Sequence, residues 1–272
     1  MNYIYNFNEL DNSKVSMVGG KNASLGEMFQ ELGSKGIRIP DGFASSARAY
    51  WEYIEENRIK EKLAKEMKNV DANNSESLNK AGNNCRKLIM ENEIPEKIRE
   101  ALEKAYKELK DREESLSSVA VRSSATAEDL PDASFAGQHE SYMNIQNNKE
   151  LLEAWKKCVA SLFTDRAIKY REENGFDHMK VALSVGVQKM VRSDRSSAGV
   201  AFTLDPESGF ENVILINGSW GLGENVVQGT VRTDEFYLFK KALKEEKKAI
   251  ISKKIKKKKK MMVFNDNENE EK

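Results

Sequence analysis

Between Val119 and Gln138 the chain runs for twenty residues with almost no bulk: an apolar, β-branched start gives way to Arg122-Ser-Ser-Ala-Thr-Ala-Glu-Asp-Leu-Pro-Asp-Ala-Ser-Phe-Ala-Gly137. Small hydroxyl-bearing and acidic residues bury too little surface to hold a regular element by packing. Connections this long inside a compact domain are either functional or disordered. A strand is therefore read as opening into a broad loop. Val119 and Val121 alternate with small residues, so the strand delivers Arg122 to the loop. Ser123, Ser124 and Thr126 are read as donors beside a guanidinium whose fork suits phosphate oxygens. Backbone N–H groups of the second small-residue stretch, Ser134-Phe-Ala-Gly137, can cover such a group.

The remaining pattern mixes two periods. Leu25, Met28, Phe29 and Leu32 follow the helical spacing, with Gly33 or Gly36 as the stop. Leu78, Ala81, Cys85, Leu88 and Ile89 mark a second helical face; Ile98, Leu102, Ala105 and Leu109 a third; Leu151, Leu152, Trp155, Val159 and Leu162 a fourth. Pro95 falls at a helix start, where its missing N–H is harmless. A short strand is read at Ile37–Ile39, before Pro40. Strand alternation dominates later, at Val181, Leu183, Val185 and Val187, then at Val200 and Phe202. Val213–Ile216 reads as a strand buried on both faces, and Phe236–Leu238 as one more. Strands in meander-like succession after residue 180, behind a helix-rich first half, predict an α+β (mixed α/β) fold in two lobes.

Lys plus Arg and Asp plus Glu are 44 each, so the overall charge favours no nucleic-acid partner. Met1 to Asp11 lack the basic-then-apolar pattern of a secretory signal, and no window nears the roughly 18 apolar residues of a membrane span. Cys85 and Cys158 are isolated among helix-patterned residues and read as reduced, packed thiols, from which a cytoplasmic location is expected. From Lys240 to Lys260 there are twelve lysines, followed by an acidic, Asn-rich stretch. Like charges at this density repel and bury little, so residues 241–272 are expected to form a frayed or disordered tail behind a domain spanning 1–240.

Val18-Gly-Gly-Lys-Asn-Ala-Ser-Leu-Gly26 places two glycines before a lysine that opens an amphipathic helix. A helix N-terminus with a close-approaching backbone and an added ammonium suits a phosphate. The GxxxxGK[ST] spacing of a P-loop is absent. Alone, the segment reads equally well as a glycine turn with a solvated lysine.

Together, VGGKNASLGEM, VAVRSSATAEDLPDASFAGQHES, SLFTDRAIKYR and GVQKMVRSDRSSAGVAFTLDPESGF resemble the nucleotide-binding domain shared by phosphoenolpyruvate synthases, pyruvate phosphate dikinases and rifampicin phosphotransferases. The likeness runs from about residue 14 to about residue 240. The fourth motif and Gly218–Gly229 resemble the synthases most, and the Arg192–Ala198 stretch counts against the rifampicin type, which stays the alternative together with a non-catalytic nucleotide-binding fragment. The resemblance implies an ATP-grasp fold, incomplete at its C-terminus. It implies that Lys21 and Arg122 contact the phosphates of ATP. Gly137 and the Ser141 hydroxyl would lie on the covering loop, and Gln188 would stand near the adenine. Ser141 replaces a threonine common in relatives and keeps the hydroxyl. For Trp220 and Gly221–Gly223 a packing role and a cleft role both stand. The Mg²⁺-holding glutamate and Gln-x-Arg of the family, its phosphohistidine and its pyruvate-binding barrel have no match here, so no catalytic and no metal-ligating residue is assigned. His139 and His178 lack the family's Thr-Cys-His setting. Pyruvate would be reached through the missing domains, and a separately encoded remainder is the expected partner.

Overall fold

The computed structural model of the chain describes residues 2–126, 129–130, 133–134 and 140–264. The chain divides into two compact units, Met1–Met190 and Val191–Lys272.

Unit 1 begins with β1 (Ile4–Asn6), two 3-10 turns and α1 (Val15–Gly33). Then come β2 (Gly42–Ser45), α2 (Ala47–Glu56), α3 (Lys60–Lys68), α4 (Ser75–Glu91) and α5 (Glu96–Arg112). They are followed by β3 (Val119–Ala125), the two-residue pair β4 (Asp129–Leu130) and β5 (Ala133–Ser134), β6 (Ser141–Ile145), α6 (Asn148–Ser161), α7 (Asp165–Glu173) and β7 (Leu183–Lys189). The sheet runs in the order β1-β2-β7-β3-β6, antiparallel throughout.

Period-2 alternation splits this sheet into two different faces. Phe43, Val119, Val121, Ala125, Leu183, Val185 and Val187 point into the main core, where Tyr53, Leu102, Trp155 and Leu162 from the helices meet them. The opposite face carries Ala44, packed with Val18 and Ala23 of α1 and with Phe7 and Leu10. Local signals place the helices. Asn74 accepts from the N–H groups of Glu76 and Ser77, Asn147 from Glu150 N–H and Thr164 from Ala167 N–H, so three helix starts are capped by side chains. α1 ends at Gly33, and the turn after it uses Gly36 at φ 79°. The strand read at Ile37–Ile39 does not form: these residues run as irregular chain into β2, because Pro40 removes a ladder donor there.

Among the described residues, the interior of unit 1 holds one buried guanidinium. Arg171 of α7 is fully buried, with its guanidinium 5.7 Å from the centre of the Phe163 ring. Its Nε–H donates to His178 Nδ1 at 2.8 Å, which fixes the tautomer, and His178 Nε2–H then donates to Glu172 Oε1 at 2.6 Å. Burial, then the Arg171 charge, push the His178 imidazole below its ordinary pKa, against the opposing pull of Glu172 and Asp177. Burial also brings the Arg171 guanidinium down to about 10. The folded chain therefore holds His178 neutral, whereas the unfolded chain takes up a proton near pH 6.5. Below that pH the unfolded state binds more protons, and stability falls as pH falls. Thermal melts should show a midpoint that drops between pH 7 and pH 5. His178→Gln should be less stable at pH 7 but should lose much of that slope; an unchanged slope in the variant would assign the effect to other groups.

Unit 2 contains β8 (Ser197–Phe202), β9 (Val213–Trp220), α8 (Glu224–Val227), β10 (Asp234–Phe239), α9 (Lys240–Lys244) and β11 (Ile250–Lys254). Its antiparallel sheet has the order β11-β10-β9-β8, a meander as the alternation predicts. β9 buries one face, through Val213, Leu215 and Ser219, and leaves the other half-open, so it is not buried on both sides. Part of the Lys-rich stretch is ordered: Ile250–Lys254 pairs with β10, and Asp234 accepts from Lys256 N–H at 2.9 Å and pairs with the Lys258 ammonium. Opposite charge on β10 offsets the repulsion that predicts fraying at this point. The acidic residues 265–272 lie outside the described residues.

The chain is thus α+β, with two larger antiparallel sheets and the short β4-β5 pair among the described residues. No helix among the described residues is long and apolar enough to cross a membrane.

Candidate functional site

The non-core face of the unit 1 sheet collects the polar residues singled out by the sequence. Arg122 is the one exposed position in an otherwise buried β3. Its cross-strand partners are Ser141 on β6 and Gly186 on β7. Gln188, two residues along β7, pairs with Ala120 and with Gly42, so its side chain leaves the same face as Arg122. Directly opposed residues on neighbouring strands stand roughly 5 Å apart, which makes Arg122, Ser141 and the Gly186 gap immediate neighbours.

α1 completes the surface. Its helical path is broken at Gly19, with φ 73° and ψ 160°, so a fresh helix start follows at Gly20–Lys21. The break lies against the end of β3: a Cβ at Gly19 would overlap Ser124 Oγ and stand 2.8 Å from the carbonyl oxygens of Ser124 and Ala125. One turn on, Asn22 lies over Gly186, where any side chain would overlap its Oδ1. The helix mouth that carries Lys21 is therefore docked on the face that carries Arg122, with Lys21 itself exposed.

The chemistry of the face is cationic and hydrogen-bonding. The Arg122 guanidinium has no hydrogen bond or ion pair with any described side chain, and crowding by the surrounding protein lowers its pKa by desolvation. An unpaired, partly dehydrated guanidinium favours an anionic ligand, since that ligand replaces water already lost. Ser141 is exposed at the start of β6. Gln188 is 9% exposed and donates from Nε2 to Pro40 O at 3.1 Å, which leaves its amide oxygen to accept from a ligand.

Three hydroxyls depart from the expected role. Ser123 Oγ donates to Glu140 O at 3.4 Å, and Thr126 Oγ1 donates to Ala182 O at 3.2 Å and accepts from Ala182 N–H at 3.3 Å. Ser124 is buried beneath Gly19. Ser123 and Thr126 stitch the loop base to the protein, and Ser124 Oγ, which has no hydrogen-bond partner among the described residues, lies under α1; none of the three stands beside Arg122 as a donor. Gly137 and His139 lie outside the described residues. Trp220, on β9 of unit 2, is 55% exposed, with the Lys258 ammonium 5.8 Å from its ring centre. Among the described residues no group of three or more His, Cys, Asp or Glu side chains is arranged to hold a metal ion.

The sequence reading passed over Asn22, Ser184 and Gly186. Their signal was available: a glycine inside the valine alternation of β7 marks a close approach of another backbone or side chain.

Comparison with known proteins bears on the chain as a whole. The family described as pyruvate phosphate dikinase, AMP/ATP-binding domain, matches residues 15–272. The chain is 53% identical over 246 residues to a phosphoenolpyruvate synthase of Helicobacter pylori, covering 90% of this chain and 30% of that protein. It is 47% identical over 237 residues to the phosphoenolpyruvate synthase of Escherichia coli, covering 87% of this chain and 30% of that one. It is 44% identical over 245 residues to a probable phosphoenolpyruvate synthase of Methanocaldococcus jannaschii, covering 90% and 20%. The chain thus spans about a third or less of the length of these relatives. With the match extending over nearly every residue, the chain belongs to the family of the pyruvate phosphate dikinase AMP/ATP-binding domain.

Proposed function

We propose that the chain is the ATP-binding portion of a phosphoenolpyruvate synthase, built on an ATP-grasp plan, and that the non-core face of unit 1 receives the nucleotide. The observation that carries the reading is Arg122: exposed, without an ion-pair partner among the described residues, and on one sheet face with Ser141, Gln188 and the α1 mouth. Lys21 and Arg122 hold phosphate oxygens, the pair acting as a cationic clamp that draws negative charge to a fixed place. The Ser141 hydroxyl donates to the same group, and Gly137 is assigned to contact it as well. The Gln188 amide oxygen accepts from the amino edge of adenine. The fit to Mg²⁺ is poor, since no carboxylate group of the required kind is assembled among the described residues. No step is therefore routed through the metal.

In the complete enzyme of this class, ATP phosphorylates a histidine and the phosphoryl group passes to pyruvate, giving phosphoenolpyruvate, AMP and phosphate. This chain would supply the nucleotide-holding part of that reaction in the cytoplasm, and turnover would need the domains that carry the histidine and bind pyruvate.

With half of the clamp supplied elsewhere, the isolated chain should bind Mg-ATP weakly, and calorimetry should return a shallow isotherm. Tight binding with steady hydrolysis would refute this division of labour. Arg122→Ala should weaken whatever affinity is measured by on the order of 10–100-fold, the value of one or two charge-assisted hydrogen bonds. Arg122→Lys should recover part of it, because it restores charge without the fork. Mixing the chain with the purified remainder and assaying pyruvate-dependent AMP formation tests the larger claim; no AMP above either half alone would remove it.

A further inference from the structure

We propose that Asn22 is a positioning residue: it latches the α1 mouth to the sheet and thereby fixes where Lys21 stands relative to Arg122. The inference rests on the reading of Lys21 and Arg122 as phosphate-holding groups, and it adds what holds them in register.

Asn22 is 2% exposed and its amide nitrogen makes two hydrogen bonds. One goes to Val18 O at 3.1 Å, the carbonyl just before the break at Gly19. The other goes to Ser184 Oγ on β7 at 2.9 Å. A single side chain thus bridges the break in α1 and ties it to the sheet. The chain of bonds continues inward. Ser184 Oγ donates to Ser45 O at 2.6 Å, and Ser45 Oγ accepts from Trp155 Nε1–H at 2.9 Å and from Val185 N–H at 3.2 Å. The helix mouth is therefore connected through β7 and β2 to the largest buried side chain of the main core.

Geometry adds a second constraint. Asn22 Oδ1 occupies the space that a side chain at position 186 would take. Gly186 is the β7 partner of Arg122. The latch therefore stands one strand away from the guanidinium, and its neighbour in sequence is Lys21. Losing the amide frees the first helical turn to rotate and lift, and the ammonium moves with it. A cation held on the wrong side of a phosphate loses most of its effect, since displacements near 1 Å cost large factors in positioned chemistry. A residue that served packing alone would be apolar here; a buried amide with one donor spent on the segment before the break and one on β7 specifies orientation.

The test uses the full chain with Asn22→Ala and Ser184→Ala, which remove opposite ends of the same bond, and Leu102→Val, a buried core residue of α5 outside this chain of bonds, as a packing control. Hydrogen exchange should quicken at the amides of Gly19–Ala23 in both latch variants and stay unchanged there in the control. Binding of Mg-ATP should weaken by at least about tenfold in Asn22→Ala, and the Asn22→Ala/Ser184→Ala double variant should lose little more than either single variant. The control should keep wild-type affinity at a temperature where all are folded. Unchanged exchange at Gly19–Ala23 would overturn the latch. Faster exchange with wild-type ATP affinity would overturn the positioning role. If the wild-type chain shows no ATP-dependent change in exchange or heat even at millimolar nucleotide, the nucleotide reading fails and takes the positioning role with it, while the exchange result still decides the latch.

Discussion

Trp155→Ala should remove on the order of 3–5 kcal/mol from the stability of unit 1, enough to consume much of the margin of an ordinary domain. Trp155 has no solvent exposure and is the largest of the fully buried side chains. Its ring meets Tyr53 edge-to-face, with centres 5.5 Å apart and planes at 80°. It also donates the indole N–H to Ser45, so truncation opens a large cavity and removes one of the two hydrogen bonds that Ser45 Oγ accepts. Trp155→Phe separates these effects. It keeps a ring against Tyr53 and leaves Ser45 Oγ its second donor, Val185 N–H, so it should lose only about 1–2 kcal/mol. Chemical denaturation followed by circular dichroism measures both. A loss below about 1.5 kcal/mol for the alanine variant would mean that α6 is not packed on the β2–β7 pair as described.

Trp155 also shows where the fold was legible. Its helix was readable because Leu151, Leu152, Trp155, Val159 and Leu162 repeat at helical spacing, and α6 covers Asn148–Ser161. α4 and α5 were visible for the same reason. α2 was not, because its buried face is built from tyrosines, Tyr50 and Tyr53, whose partly polar character blurs the pattern. α3 was missed because two buried residues, Leu63 and Met67, sit among lysines and glutamates. β7 declared itself through alternation. β2 did not: four residues are too few for a period to emerge, and its burial on both faces replaces alternation with Gly-Phe-Ala-Ser. The Lys-rich segment misled in part, since what orders β11 is a pairing with β10 and a carboxylate at Asp234, neither of which local composition reveals.

The site divides along the same line. Arg122 and Lys21 stood out as charges at the ends of patterned elements, and sheet register brings the strand carrying one beneath the helix carrying the other. The hydroxyls around Arg122 could not be assigned from composition, because Ser, Thr and small residues look alike whether they face a ligand or stitch a loop. Register decides it: Ser123 opposes Val185 on the core face, whereas Arg122 opposes Gly186 on the other. Chain spacing cannot show Asn22 reaching a serine 162 positions away.

Gly19→Ala should be among the most damaging single-methyl changes available to this chain, at about 2–6 kcal/mol. Two independent effects add. At φ 73° and ψ 160° the backbone occupies a region that is essentially reserved for glycine, and forcing another residue there costs about 1–3 kcal/mol. The new Cβ would also meet two backbone carbonyl oxygens at 2.8 Å, on a buried strand that cannot swing aside, for another 1–3 kcal/mol or so. Two other glycines calibrate the sum. Gly36 has φ 79° but open space around it, so Gly36→Ala should show the conformational part alone, about 1–2 kcal/mol. Gly33 has neither positive φ nor a neighbour within 4 Å, so Gly33→Ala should be neutral or slightly stabilising. Ser124→Ala, which removes the overlapping hydroxyl and leaves both carbonyls, should rescue Gly19→Ala only in part. At temperatures where the variant stays folded, ATP affinity should fall as well, because the displaced turn is the one that carries Lys21. If Gly19→Ala were no worse than Gly36→Ala, the helix mouth would not be seated on β3, and the shared face of Lys21 and Arg122 would have no structural basis.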